Sequence, residues 1–399
     1  MYEICVISGT RADYGLLRNL IKRLDADSEI CLKLIVTGSH LSDSFGNTQN
    51  EIIADGISDY ITIPIPLEDD SHEGMACSTG IGLIRFSEYF RKNKPDLLIV
   101  LGDRFEAFAA TAAAHLIGVP IAHISGGDVT EGVVDDAIRH CLTKMSNLHF
   151  PGCEQSRRRI IQMGEQPEFV FNVGEPGVEN CLNMKLLSRN DLAESINFDG
   201  VLRDFALVTF HPVTMERDTA LHEVRELIAA MDSFPRLSYV VTLANADAGG
   251  RAINDCWMEE AQEHKNWLVV PSLGVKMYLS AMKYTKMVLG NSSSGIVEAP
   301  SMNVPTVNIG DRQKGRMMAK SVVCCMPKHE DIVHAMTTAL SNSFMHGLVD
   351  VENPFGDGKT SKRIHEIVLD YLKLSSRSLE KHFYDIDFSM VDCKMKLNK

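Results

Sequence analysis

Short, wholly apolar runs such as "PDLLIVLG" (residues 95–102) recur along this chain, separated by segments with helical periodicity. Strands that are apolar on both faces need cover on both faces. That pattern indicates a parallel sheet with helices packed above and below. The series "EICVIS", "ICLKLIVTG", "DYITIPI", "PDLLIVLG", "VPIAHIS" and "NLHFP" builds one such doubly wound α/β unit. After "FVFNVGEPGVEN" the alternation restarts with "FALVTFHPVT", "RLSYVVTLAN", "NWLVVPSLG", "TKMVLGNSSSG" and "VPTVNIGD". The turn residues of "GEPG" (174–177) make a hinge between the two. The expected organisation is a first domain over residues 1–175, a second over 176–380 and a tail over 381–399, whose sequence has no clear period. No internal repeat is visible, so any duplication is one of architecture. Open sheets of this kind bind ligands beyond the carboxyl ends of their strands, so two of them facing each other direct attention to the residues after each strand.

Charge narrows the ligand. With 399 residues and a formal net charge of -13, the chain supplies no long-range positive field for nucleic acid or an anionic membrane surface. A phosphate would have to be held by local groups. The longest apolar runs fall far short of the roughly 18 residues that span a bilayer, and "MYEICVIS" reads as a strand where a signal peptide would need a basic start. The expectation is a cytoplasmic protein. The ten cysteines include no CxxC pair and no regular spacing, which reads as reduced thiols rather than a disulfide framework or zinc ribbon.

Several strand ends carry groups with chemistry. "VLGNSSSGIVEAP" (288–300) is a strand, a Gly/Ser turn and a helix start, which fits an anion cradle of amides and hydroxyls or a plain turn with capping serines. Glu298 in the same stretch fits either a ribose-hydroxyl acceptor or a capping-box glutamate. "NIGDRQKGR" (308–316) carries Arg312, Lys314 and Arg316, a diphosphate clamp or a solvated loop, with Arg312 suited to bidentate contact. "ISGTRADYG" (7–15) has Arg11 after the first strand but is neither GxGxxG nor a P-loop. In "VLGDRFEA" (100–107), Asp103 reads as a helix cap or as a free base in the cleft. His211 in "TFHPVT" is a structural histidine or a ligand contact.

The densest stretch is "IAHISGGDVTEGVVDDAIRH" (121–140), with four carboxylates, two histidines and an arginine around a glycine turn. Only Asp136 and His140 have the spacing of a helical metal pair, which is too little for a metal site. Carboxylates crowded at a turn raise one another's pKa, which suits proton transfer near neutrality.

Taken together and in order, "GTRADYGLL", "VTGSHLSDSFGNT", "LGDRFEA", "HISGGDVTEGVVDDAIRHCLTKMSNLHF", "FHPVT", "ANADAGG", "GNSSSGIVEAP" and "NIGDRQKGR" resemble the hydrolysing UDP-N-acetylglucosamine 2-epimerases of bacterial sialic-acid synthesis, the NeuC type, and the epimerase half of the animal bifunctional epimerase/kinase. The resemblance spans nearly the whole chain. It implies a GT-B fold of two Rossmann-like domains with a UDP-sugar between them, no cofactor and no metal, and a homodimer or homotetramer. It assigns UDP contacts to Arg11, Ala12, His211, Asn245, Ser292, Ser293, Glu298 and Arg312, with Leu273 near the uracil. It assigns the sugar end to Asp103, Arg104, Asp135 and Arg139, with Asp103 and Asp135 as acid/base candidates. The implied reaction converts UDP-N-acetylglucosamine to N-acetylmannosamine and UDP through a glycal. The same chemistry on UDP-2,4-diacetamido-2,4,6-trideoxyglucose, on the legionaminic-acid route, and a UDP-sugar-binding module without turnover are the alternatives.

Two departures from the resemblance stand out. Ser125 occupies the position of the glutamate in the animal enzyme's "HIEGGE", so the acid/base work must lean on Asp103, Asp135 and Asp128. Leu16 stands where several relatives carry a lysine or another polar group near the phosphates.

Overall fold

In the computed structural model, which describes residues 1–42, 48–57, 59–66, 71–130, 134–212, 220–244, 250–374 and 379–387, two parallel sheets share one topology. The first domain runs β1 (Tyr2–Ser8), α1 (Arg11–Asp25), β2 (Ile30–Thr37), α2 (Gln49–Ala54), β3 (Tyr60–Ile63), α3 (His72–Lys92), β4 (Leu97–Leu101), α4 (Phe105–Ile117), β5 (Ile121–Ile124), α5 (Val134–Met145), β6 (Leu148–Phe150) and α6 (Glu154–Gln162). The chain then crosses through α7 (Pro176–Asn183) and α8 (Arg189–Ile196). The second sheet is built from β7 (Phe205–Thr209), α9 (Ala220–Asp232), β8 (Ser238–Thr242), α10 (Gly250–Glu260), β9 (Trp267–Val270), α11 (Gly274–Tyr284), β10 (Met287–Gly290), α12 (Ser294–Val297), β11 (Thr306–Ile309) and β12 (Val322–Cys325). Helices α13 (His329–Leu340), α14 (Asn342–His346) and α15 (Thr360–Leu372) follow.

The strand orders are β3-β2-β1-β4-β5-β6 and β12-β11-β10-β7-β8-β9. Read from its β9 end and counted from its own first strand, β7, the second sheet is 3-2-1-4-5-6, and the first sheet has the corresponding order. In each sheet the order reverses once, between β1 and β4 and between β7 and β10. Connections leave those neighbours in opposite directions, which opens a crevice at their carboxyl ends.

Local chemistry explains the elements. All five residues of β4 are buried, as an interior strand covered on both faces requires. Helix α1 starts where Thr10 accepts a hydrogen bond from the amide of Asp13 at 3.1 Å, and α4 stops at Gly118 in the left-handed region (φ 78°). Pro176 opens α7, where its missing N–H costs nothing.

The last helix does not stay with the second sheet. Ile364, Val368, Tyr371 and Leu372 of α15 join the core beneath β1 and α1, and Arg23 of α1 donates to Ser361 at 2.8 Å. Buried Glu179 of α7 accepts from both the amide and the hydroxyl of Ser361 (2.7 and 2.6 Å), which ties the crossover to the returning helix. Residues 379–387 then run along the first domain, where Lys381 meets buried Glu165 at 2.6 Å and the amide of Tyr384 donates to Gly164 O at 2.9 Å. Residues 388–399 of the expected tail lie outside the described residues. Among the described residues no helix is long and apolar enough to cross a membrane.

The second switch point depends on one glycine. Gly290 ends β10 at φ 128°, and a Cβ there would fall 2.0 Å from the carbonyl oxygen of Thr209 on β7. Both the dihedral and the close approach exclude a side chain. Gly290→Ala is expected to lower the thermal unfolding midpoint, measured by scanning fluorimetry, because a Cβ there meets backbone and no side chain can yield.

Candidate active site

At the first switch point, Arg11 opens α1 and its guanidinium donates to the hydroxyl of Ser272 in the second domain, with Glu51 at 3.8 Å from its Nε. Ala12 follows, exposed. Asp13 accepts from the amide of Gly9 at 3.3 Å; burial pushes its carboxyl up to about 6, with the positive charge of Arg104 opposing. Arg104 forks onto Glu106, which is 1% exposed, at 3.1 and 3.2 Å. Asp103 is neither the cap of α4 nor free. Arg104 occupies the cap position without a side-chain bond, and Asp103 is ion-paired to Arg139.

That arginine organises the loop after β5. Its buried guanidinium, on α5, meets Asp103, the carbonyl of Asp128 (3.0 Å), Thr130 Oγ1 (3.2 Å) and Asp136 Oδ1 (3.3 Å). Asp136 also accepts from the amide of Thr130 at 2.7 Å and stands 3.6 Å from His140, so the pair singled out for metal spacing is part of the loop's own bonding. Asp135 lies exposed on the first turn of α5, within the field of Arg104.

Arg316 reaches the same loop from the second domain. It lies 3.0 Å from Asp128 Oδ2 and donates to Val129 O (3.2 Å) and Thr130 Oγ1 (3.1 Å). This corrects the reading of residues 308–316 as one clamp: Lys314 pairs with Asp311 at 3.5 Å, Arg316 crosses the cleft, and Arg312 alone stays at the second switch point.

There, Asn291 acts as a clasp. Its side chain accepts from the amide of His211 (2.7 Å) and donates to the carbonyl of His211 (2.8 Å), while its own carbonyl receives Arg312 (3.1 Å) and Gln313 (2.8 Å). His211 and Arg312 are thereby brought together. Burial, reinforced by Arg312, pushes His211 down to about 3, so the imidazole is neutral, and its Nδ1 has no hydrogen-bond partner among the described residues. Neutral imidazole and guanidinium together suit a diphosphate, one giving directional bonds and the other charge.

Of the serines after β10, Ser292 accepts from the amide of Ser294 at 3.4 Å as a turn bond, and none caps the helix from the cap position. Helix α12 is a single turn, Ser293 in its cap position makes no side-chain cap bond, and Glu298 follows that turn, which removes the capping-box reading. Instead the hydroxyls form a chain: Tyr278 Oη to Ser294 Oγ at 2.6 Å, and Ser294 to Ser292 at 3.1 Å. Leu273 is buried at the residue before α11. Asn245 lies outside the described residues.

Two residues at the domain seam take on a meaning their sequence context did not carry. Glu175, read only as part of a hinge, accepts a 2.7 Å hydrogen bond from Ser125, the residue at the end of β5 held in the left-handed region (φ 61°). Glu298 lies against Gly177, where a Cβ would sit 2.3 Å from Oε1. Burial pushes both carboxyls up to about 7. For Glu175 the sequence offered no signal beyond a charged residue among turn formers.

The family model described as UDP-N-acetylglucosamine 2-epimerase matches residues 22–369. A GDP/UDP-N,N'-diacetylbacillosamine 2-epimerase (hydrolyzing) from Campylobacter jejuni is 38% identical over 323 residues, covering 80% of this chain and 83% of its own. A UDP-N,N'-diacetylbacillosamine 2-epimerase (hydrolyzing) from Legionella pneumophila is 35% identical, covering 95% and 98%. The solved UDP-GlcNAc 2-epimerase from Neisseria meningitidis bound to UDP-GlcNAc superposes with a TM-score of 0.78 at 18% identity, over 92% of this chain and all of that one, which supports the two-domain GT-B fold.

A carboxyl whose folded pKa is raised stabilises the fold below its unfolded value and loses that contribution as pH rises through the folded value. Glu298→Gln should therefore match the wild-type melting temperature near pH 4, below the ordinary carboxyl value, and exceed it at pH 8, where the wild type carries a poorly solvated charge. A melting difference that is flat from pH 5 to 8 would contradict the raised value.

Proposed function

Since the chain belongs to the UDP-N-acetylglucosamine 2-epimerase family, we propose that it is a hydrolysing 2-epimerase that converts a UDP-2-acetamido sugar to UDP and the free C2-epimeric sugar. The observation that carries this reading is the division of labour across the cleft. Donors gather at the β7/β10 end, with neutral His211, Arg312 and the serine hydroxyls. Carboxyls gather at the opposite end, with Asp103, Asp128 and Asp135 around Arg104 and Arg139.

Elimination is the first half of the reaction. A carboxylate takes the C2 proton, the C–H electron pair becomes the C1=C2 bond of a glycal, and the C1–O bond breaks with its pair leaving on UDP. The C2 proton is weakly acidic, so the barrier falls only if the departing diphosphate is stabilised at the same moment, the task of Arg312 and its neighbours. In the second half, water adds its hydroxyl to C1 and a proton adds to C2 from the opposite face. Neither half requires a redox change. Contacts that bridge the cleft, Arg11 to Ser272 and Arg316 to residues 128–130, limit the access of bulk water to the glycal.

The leading donor is UDP-2,4-diacetamido-2,4,6-trideoxyglucose, the UDP-N,N'-diacetylbacillosamine of the Campylobacter and Legionella relatives. UDP-N-acetylglucosamine, yielding N-acetylmannosamine, is the second reading. It is supported by a UDP-N-acetylglucosamine 2-epimerase of Neisseria meningitidis that is 28% identical over 97% of this chain. Both donors are to be incubated with the protein in deuterated water and followed by NMR. Release of free sugar carrying deuterium at C2 is expected, faster from the diacetamido donor. UDP-linked epimer without free sugar, or no turnover of either donor, would overturn the reading.

A further inference from the structure

Inversion at C2 needs two proton-transfer groups, one on each face of the sugar. Among the carboxylates of the sugar-end loop, two already face guanidinium groups: Asp103 is paired with Arg139, and Asp128 with Arg316. Oxygens committed in that way are poorly placed to give up a proton.

Glu175 is different. It lies at the start of α7, where the chain passes from one domain to the other, and its amide is held by Phe355 O at 2.7 Å. Its carboxyl is wedged against the backbone of Gly152, where a Cβ would fall 1.9 Å from Oε1. Ser125 donates to its Oε2 at 2.7 Å. That bond comes from a neutral hydroxyl, and the nearby guanidinium of Arg316 is paired with Asp128. The charged groups that act on it from the packed elements are Asp128 of the first domain and Arg316 and Glu298 of the second.

We infer that Glu175 supplies the carboxyl that position 125 lacks and is the acid that protonates C2 of the glycal, with Ser125 as the residue that positions it. The inference rests on the hydrolysing reaction proposed above. The protonated carboxyl gives its proton to C2, and the C1=C2 electron pair forms the new C–H bond. Water oxygen bonds to C1 and the proton it releases leaves to solvent with UDP; the carboxyl that took the C2 proton during elimination then gives it up as Glu175 regains one, so that the free sugar forms and the enzyme's proton count is restored. Burial pushes this carboxyl up to about 7, which keeps a protonated fraction at neutral pH.

Wild-type turnover of one of the two donors is established first; a wild type inert toward both removes the underlying reading and this inference with it. Glu175→Gln is then expected to keep UDP affinity and still release UDP, while free glycal accumulates and free sugar falls about a hundredfold or more. Free sugar close to the wild-type level would overturn the inference, as would loss of UDP release in a variant that still binds UDP. Ser125→Ala, which removes one hydroxyl, gives an independent reading. That hydroxyl holds the Glu175 carboxyl down, so its removal should move the alkaline limb of kcat to higher pH; an unmoved limb contradicts the positioning role. Relocating the carboxyl in the double variant S125E/E175A should restore glycal hydration about tenfold or more over E175A, and no recovery in a folded double variant counts against it.

Discussion

Two guanidinium groups converge on Thr130. Arg139 reaches it from α5 beneath the loop and Arg316 from the other domain, at 3.2 and 3.1 Å from the same hydroxyl oxygen. The same terminal nitrogens meet Asp103 and Asp128, and a second nitrogen of each group donates to a loop carbonyl. Charges so poorly exposed are tolerated only when every partner is present, and removing one partner from such a set typically costs about 3–5 kcal/mol. The shape of the loop over residues 128–130 is therefore tied to Arg316 of the second domain.

The second domain contributes the complementary chemistry with little charge. Asn291 fixes the backbone of His211 and the turn bearing Arg312 through four hydrogen bonds, so one amide side chain and its carbonyl set the geometry of the donor end. Keeping His211 neutral avoids a second positive charge, a buried one, beside half-buried Arg312. In a chain with a net charge of -13, a local pocket of directional donors is the economical way to hold a diphosphate.

Much of this was legible in the sequence because it follows from period and position. Uninterrupted apolar runs marked the strands, "GEPG" marked the crossing, and the rule that ligands gather beyond strand ends drew attention to residues 7–15, 100–107, 121–140, 209–214 and 288–316. Partnership was not legible. Asp103 read as a cap or a free base because nothing local reveals that Arg139, far along the chain on α5, faces it. Arg316 sits close to Arg312 in the sequence yet serves the opposite domain. Glu175 follows no strand of its own and opens a helix, so the strand-end rule passed over it; its meaning depends on Ser125, at the end of β5, and on the glycine it packs against. The return of α15 to the first core was equally hidden, since an amphipathic helix does not say which sheet it covers.

The central claim is that one cleft performs both an elimination and a hydration on the sugar side of a bound UDP. The most direct measurement supplies the intermediate. Wild-type protein is incubated with UDP and the 2-acetamidoglycal corresponding to the donor it turns over, and the mixture is followed by NMR. The account predicts UDP-dependent hydration to the free C2-epimeric sugar at a rate compatible with overall turnover. A glycal that remains unchanged while the UDP-sugar is converted in a parallel sample would contradict it.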